Sequence, residues 1–133
     1  MSITGLGQRR AMHGLAQPIS AFLDELARHH VETAVFVFLD HGGDALGWHR
    51  QSSDHPEVVA VRIRSVVNRA LALEAAQVVM AHNHPSGDPE PSAADLRFTR
   101  QLATVLDALE IRLVDHLVLA PGGCVSFRAR GLL

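Results

Sequence analysis

Apolar residues at helical spacing follow Pro18. Ile19, Phe22, Leu23 and Leu26 share one stripe, which predicts a helix ending near Arg28-His29-His30, where basic side chains suit the negative helix end. The period then changes. Val31 to Leu39 is dense in β-branched and aromatic residues and predicts a strand covered on both faces. Turn chemistry at Asp40-His41-Gly42-Gly43-Asp44 lets Ala45–Trp48 return as a paired strand, with a polar loop over residues 49–57. Val58–Val61 reads as a short strand, Arg64–Ala76 as a helix and Gln77–Ala81 as a buried strand. Residues 82–91, HNHPSGDPEP, hold three prolines and a glycine, so neither a helix nor a central strand continues there. Ser92–Leu109 has the clearest helical stripe, marked by Leu96, Thr99, Leu102, Leu106 and Leu109. Ile111–Leu119 follows as a strand, Pro121-Gly122-Gly123 as a turn and Cys124–Phe127 as a last short strand. Residues 1–17 lack periodicity and read as an N-terminal arm, which leaves 18–133 as one domain of layered α/β class.

Composition narrows the function classes. A chain of 133 residues is long enough to bury a core unaided, and 47% hydrophobic against 20% charged residues excludes disorder as the main state. The apolar runs are too short to span a bilayer, and the opening MSITGLGQRR lacks the features of a secretory signal. A lone cysteine, Cys124, rules out an internal disulfide and a thiolate zinc site, so a reducing cytoplasm is the expected compartment. Twelve basic against fourteen acidic residues give a net charge of −2, which argues against nucleic acid as the main partner. Among possible protein partners, a second copy of the chain stays open.

Nine histidines are the unusual feature. His82 and His84 stand two apart at a strand end, where period-two alternation puts both rings on one face, able to share a metal ion. Asp95, in the first turn of the next helix, offers a third, oxygen ligand. Two imidazoles and a carboxylate leave a fourth zinc position for water, as in catalytic sites. Ser92-Ala93-Ala94-Asp95 also fits a helix capping box, and the two roles are compatible. Glu32, flanked by Val31, Thr33 and Ala34, is a candidate general base, because an apolar setting would raise its pKa, although it also fits an ordinary strand-entry residue. Asp115 and His116 point to opposite strand faces, and one of them either orients a ligand imidazole or is a satisfied strand polar residue. His29, His30, His41, His49 and His55 read as solvated turn or loop residues, and Trp48 as core or strand-edge packing or as a groove wall. A Cys124–His116 thiol hydrolase is disfavoured, because no group orients the pair.

The string His82-x-His84, seven residues, Ser92, two residues, Asp95, with an upstream glutamate, resembles the JAMM (MPN+) metalloprotease signature. HNHPSGDPEPSAADLRFTRQL and the later Leu113-Val114-Asp115-His116-Leu117 resemble its RadC-like bacterial branch, from about Ala21 to the C-terminus. The resemblance implies a three-layer α/β/α sandwich around a mixed sheet, similar to cytidine deaminases (a JAB/MPN domain). It implies zinc held by His82, His84 and Asp95, water activated by Glu32, and an oxyanion stabilised by Ser92. The implied activity is hydrolysis of an amide or isopeptide bond in a peptide or protein. Two departures stand out. Ile63-Arg64-Ser65 replaces the family's Pro-Arg-Glu, and only about twenty residues precede the matched region, where full-length relatives carry a helix-hairpin-helix element. The rival expectations are a non-catalytic metal-binding interaction module and a DNA-repair-associated factor.

Overall fold

The computed structural model describes residues 19–52 and 59–133. The expected arm over residues 1–17, His55 and Val58 lie outside the described residues. The elements run α1 (Ile19–Ala27), β1 (Thr33–Leu39), β2 (Ala45–Ser52), α2 (Val59–Ala72), β3 (Gln77–Asn83), α3 (Ala93–Ala108), β4 (Arg112–Ala120) and β5 (Gly123–Ser126). The strands form one mixed sheet in the order β2-β1-β3-β4-β5, in which only β3 and β4 run parallel, joined by α3.

Alternation along the central strands supplies both faces of this sheet. Phe36 and Phe38 of β1, with Val78 and Met80 of β3, pack under Ile63, Val66 and Ala70 of α2 and Leu102 and Leu106 of α3. Val35, Ala81, Leu117 and Leu119 face the other way, against Leu26 of α1. The result is the expected α/β/α sandwich around a mixed sheet. No helix among the described residues is long and apolar enough to cross a membrane.

Several boundaries differ from the sequence expectation. Val59–Ala72 is helical, so the expected strand at Val58–Val61 is wrong across its described residues. The buried stripe Ile63, Val66 and Ala70 carries the segment into the helix, and packing overrides the weak β preference of valine. The same helix stops at Ala72 instead of Ala76, because Glu74 adopts a left-handed conformation (φ 54°) and the Ala75 N–H returns to the Ala70 carbonyl at 2.9 Å. Strand β2 continues through Ser52, where a polar loop from residue 49 was expected. It is an edge strand paired with β1 along its length, with Leu46, Trp48 and Arg50 exposed while His49 and Gln51 alternate inward and are half-buried. His49, expected in a solvated loop, therefore lies against Phe36, with ring centroids 6.2 Å apart.

Two features of the sheet place its buried histidines. Strand β3 runs on through His82 and Asn83, beyond the expected end at Ala81, because both residues keep their register with Val118 and Leu119 of β4. In β4 the register shifts by one residue, so Val78 pairs with Leu113 but Val79 with Asp115. This bulge turns Leu113 and His116, three residues apart, towards the same layer.

Between His82 and His84, alternation sends Asn83 to the opposite face. It is fully buried there. Its side-chain oxygen accepts the Thr33 N–H at 2.6 Å, and its amide donates to the carbonyls of His29 and Val31 at 3.1 Å each. One side chain thus ties the α1–β1 connection, which carries Glu32, to the end of β3. Asn83→Ala would strand these buried backbone groups and is expected to cost about 2–3 kcal/mol in unfolding free energy, read from urea titration. A loss under about 0.5 kcal/mol would show that the clamp carries no weight.

Candidate metal centre

The antiparallel pairing of Ala34 with His82 sets the site. Counted outward, the same register brings residue 32 opposite residue 84, so Glu32 arrives beside the histidine pair from a position fifty residues away in sequence. His84 continues the ladder by donating its N–H to the Leu119 carbonyl at 2.7 Å, and then Pro85 ends the strand. Gly87, at φ 95°, takes the left-handed conformation that lets the loop turn back.

The loop delivers the N-terminus of α3. Ser92 is its N-cap: the hydroxyl accepts the Asp95 N–H at 3.0 Å, and the Asp95 Oδ2 accepts the Ser92 N–H at 2.8 Å. The capping box and the predicted ligand position are thus one arrangement. By holding its own helix end, Asp95 is fixed with its carboxylate facing the imidazoles. Its Oδ2 lies 3.0 Å from His84 Nε2 and its Oδ1 3.4 Å from His82 Nε2.

The hydrogen-bond partners assign the histidine tautomers. The Thr99 hydroxyl donates to the Asp95 carbonyl at 2.7 Å, so towards His116 Nδ1, also at 2.7 Å, it accepts. His116 is fully buried and stacks on Phe127 with centroids 4.3 Å apart. Burial holds its pKa well below the ordinary histidine value, so it stays neutral. With its proton on Nδ1, its Nε2 accepts from His82 Nδ1 at 2.6 Å. His82 Nε2 is left with a bare lone pair. His84 reaches the same state by another route, since its Nδ1 donates to the Asp88 carbonyl at 2.9 Å.

Both bare Nε2 atoms point at one place, 2.9 Å apart, and the Glu32 Oε1 lies 3.8 Å from each. One ligand atom from each of Glu32, His82, His84 and Asp95 falls within 4.8 Å of the others. Ligands about 2.0–2.1 Å from a single tetrahedral ion stand about 3.3 Å from each other, close to the spacings among the two imidazoles and Asp95. Acceptor atoms crowded this closely, with their hydrogens committed elsewhere, fit a divalent cation between them.

All four of these predicted residues come together, and Ser92 lines the same cavity, of about 240 Å³. The setting expected for Glu32 is corrected: its side chain is 50% exposed, at the open side of the cluster, because residue 32 precedes the strand instead of lying within it. His116 is the imidazole-orienting partner, whereas Asp115 faces away and accepts from the Ser126 hydroxyl at 2.6 Å and the Arg128 N–H at 3.0 Å. Cys124 packs with the α1 layer, away from His116, and burial raises its thiol to about 11. Trp48 does not line the cavity. Sequence reasoning missed Asn83, and the available signal was a polar residue at a strand position alternation turns inward.

Residues 14–132 match the RadC-like JAB domain. A UPF0758 protein of Xylella fastidiosa (strain 9a5c) is 41% identical over 119 residues, covering 87% of this chain and 53% of its own length. One from Bordetella avium is 40% identical over 111 residues, with 84% and 49% covered, and one from Stenotrophomonas maltophilia (strain K279a) is 56% identical over 70 residues, with 53% and 30% covered. The chain spans about half the length of the first of these relatives. A match over residues 14–132 shows that the chain belongs to the RadC-like JAB domain family.

Proposed function

We propose that this domain is a zinc-dependent hydrolase of amide or isopeptide bonds, with His82, His84 and Asp95 as the metal ligands. The carrying observation is the convergence of two bare Nε2 atoms and the Asp95 carboxylate at tetrahedral ligand spacing, beside an open side occupied by Glu32. The JAB superfamily includes metalloproteases, which supports the same reading. A bound zinc ion would supply Lewis acidity and bring the pKa of a water molecule down to about 7.

The chain's own residues do the rest. Glu32 stands farther from the imidazoles than Asp95 does and is half in solvent, which suits a mobile proton carrier better than a ligand. It takes a proton from the attacking water and delivers it to the departing nitrogen. The Ser92 hydroxyl accepts from Asp95 N–H, so its own hydrogen is free to donate to the carbonyl oxygen as charge develops there. His116 and Asp88 hold the two imidazoles in the tautomer and orientation the site requires. A peptide or protein substrate follows from the bond type, and the single cysteine fits a cytoplasmic setting.

Glu32→Gln is expected to retain one zinc per chain by elemental analysis while lowering turnover of a peptide library by about 10²–10⁴-fold. Unchanged turnover would remove Glu32 from the mechanism. Zinc binding by the wild-type chain without cleavage of any library member would leave a metal-binding module instead. His116→Phe keeps the stacking volume against Phe127 but cannot accept from His82. It is expected to weaken zinc affinity by about 10–100-fold in a chelator competition, with the thermal unfolding midpoint recorded alongside. Wild-type affinity in a folded His116→Phe variant would show that the relay does not govern the site.

A further inference from the structure

The cavity beside the metal cluster has a wall that the proposed chemistry does not use. Its floor and one side are apolar, from Ala34, Met80 and Phe98. Another part of the wall is built by the end of β2 and the first turn of α2, and it carries Arg62. The Gln51 side-chain amide donates to the Arg62 carbonyl at 3.1 Å, which pins that turn of α2 to the edge strand. The guanidinium itself has no carboxylate or other side-chain partner among the described residues. It is partly buried, in a space small against the roughly 300–1,000 Å³ of common ligand pockets.

The local charge points the same way. The cavity is lined by two carboxylates, Glu32 and Asp95, and by one arginine, Arg62. With a dication held by the cluster, the lining carries a net positive charge. A guanidinium offers planar, paired donors that match a carboxylate. We propose that Arg62 is a specificity residue, which binds a carboxylate on the substrate next to the bond presented to the metal. The substrate class is then an amide whose neighbouring residue is anionic, by a free terminal carboxylate or an acidic side chain. This inference rests on the metal-site reading above, because the metal end of the cavity fixes the other end of the ligand.

Three thiol probes separate the possibilities by calorimetric binding to zinc-loaded protein. They are mercaptoacetyl-alanine with a free carboxylate, mercaptoacetyl-glutamate α-amide and the neutral mercaptoacetyl-alanine amide. At least one anionic probe is expected to bind about tenfold or more tightly than the neutral one. Which anionic probe gains tells a chain terminus from an acidic side chain. Arg62→Gln should erase the preference and leave the neutral probe's affinity unchanged. Equal binding of all three probes, or a preference that survives Arg62→Gln, overturns the role of Arg62 and leaves the metal site standing. If none of the probes binds, the metal-site reading fails and the anionic subsite fails with it.

Discussion

The site depends on the antiparallel register between β1 and β3. A slip of one residue would turn His82 and Ala34 to opposite layers and would move Glu32 out of reach of both imidazoles. The hydrophobic pattern resists such a slip, since Phe36 and Phe38 would exchange places with Val35 and Val37 across two filled layers. Asn83 resists it from the other side. Its three hydrogen bonds to backbone at residues 29, 31 and 33 fit only one alignment of the strand ends. Core packing and a buried polar clamp therefore specify the same pairing, and the relation between Glu32 and His84 is a by-product of that agreement.

Polar groups around the cluster each serve the fold and the site together. The Ser92–Asp95 pair closes a helix end that needs closing in any case, and in doing so aims a carboxylate. Thr99 satisfies the Asp95 carbonyl and, through the same hydroxyl, fixes the proton on His116. The bulge in β4 allows Leu113 to stay in the apolar layer while His116 enters the polar chain. A buried polar network is costly when half-satisfied and rigid when complete. Here the chain of donors runs from His82 through His116 and Thr99 to a backbone carbonyl, and no member lacks a partner.

Much of this was legible in the sequence because it depends on local spacing. Two histidines separated by one residue must share a strand face, and a Ser-x-x-Asp at a helix start must bring its carboxylate back to the helix end. What was not legible depends on pairing between distant segments. Nothing in residues 28–34 alone shows that Glu32 sits at the exposed rim, because that is decided by where α1 releases the chain and Asn83 catches it. The role of His116 hinges on a bulge, which period-two reasoning cannot foresee. The misjudged strand at Val58–Val61 has the same origin: four apolar residues are compatible with either period, and the buried stripe beginning at Ile63 decides.

The charge arrangement links the metal cluster to its surroundings. Two bare imidazole nitrogens and two carboxylates drawn into one small volume oppose folding unless positive charge meets them. Arg62, which lines the same cavity, is not paired with either carboxylate, although an ion pair there would relieve part of that opposition. The fold instead keeps the guanidinium out of ion-pair distance of both, with the Arg62 backbone tethered by Gln51. Holding opposite charges apart, with the carboxylates at the place a cation would occupy and Arg62 unpaired in the same cavity, leaves both available to a ligand that spans them. A domain selected for stability alone would gain by letting them meet.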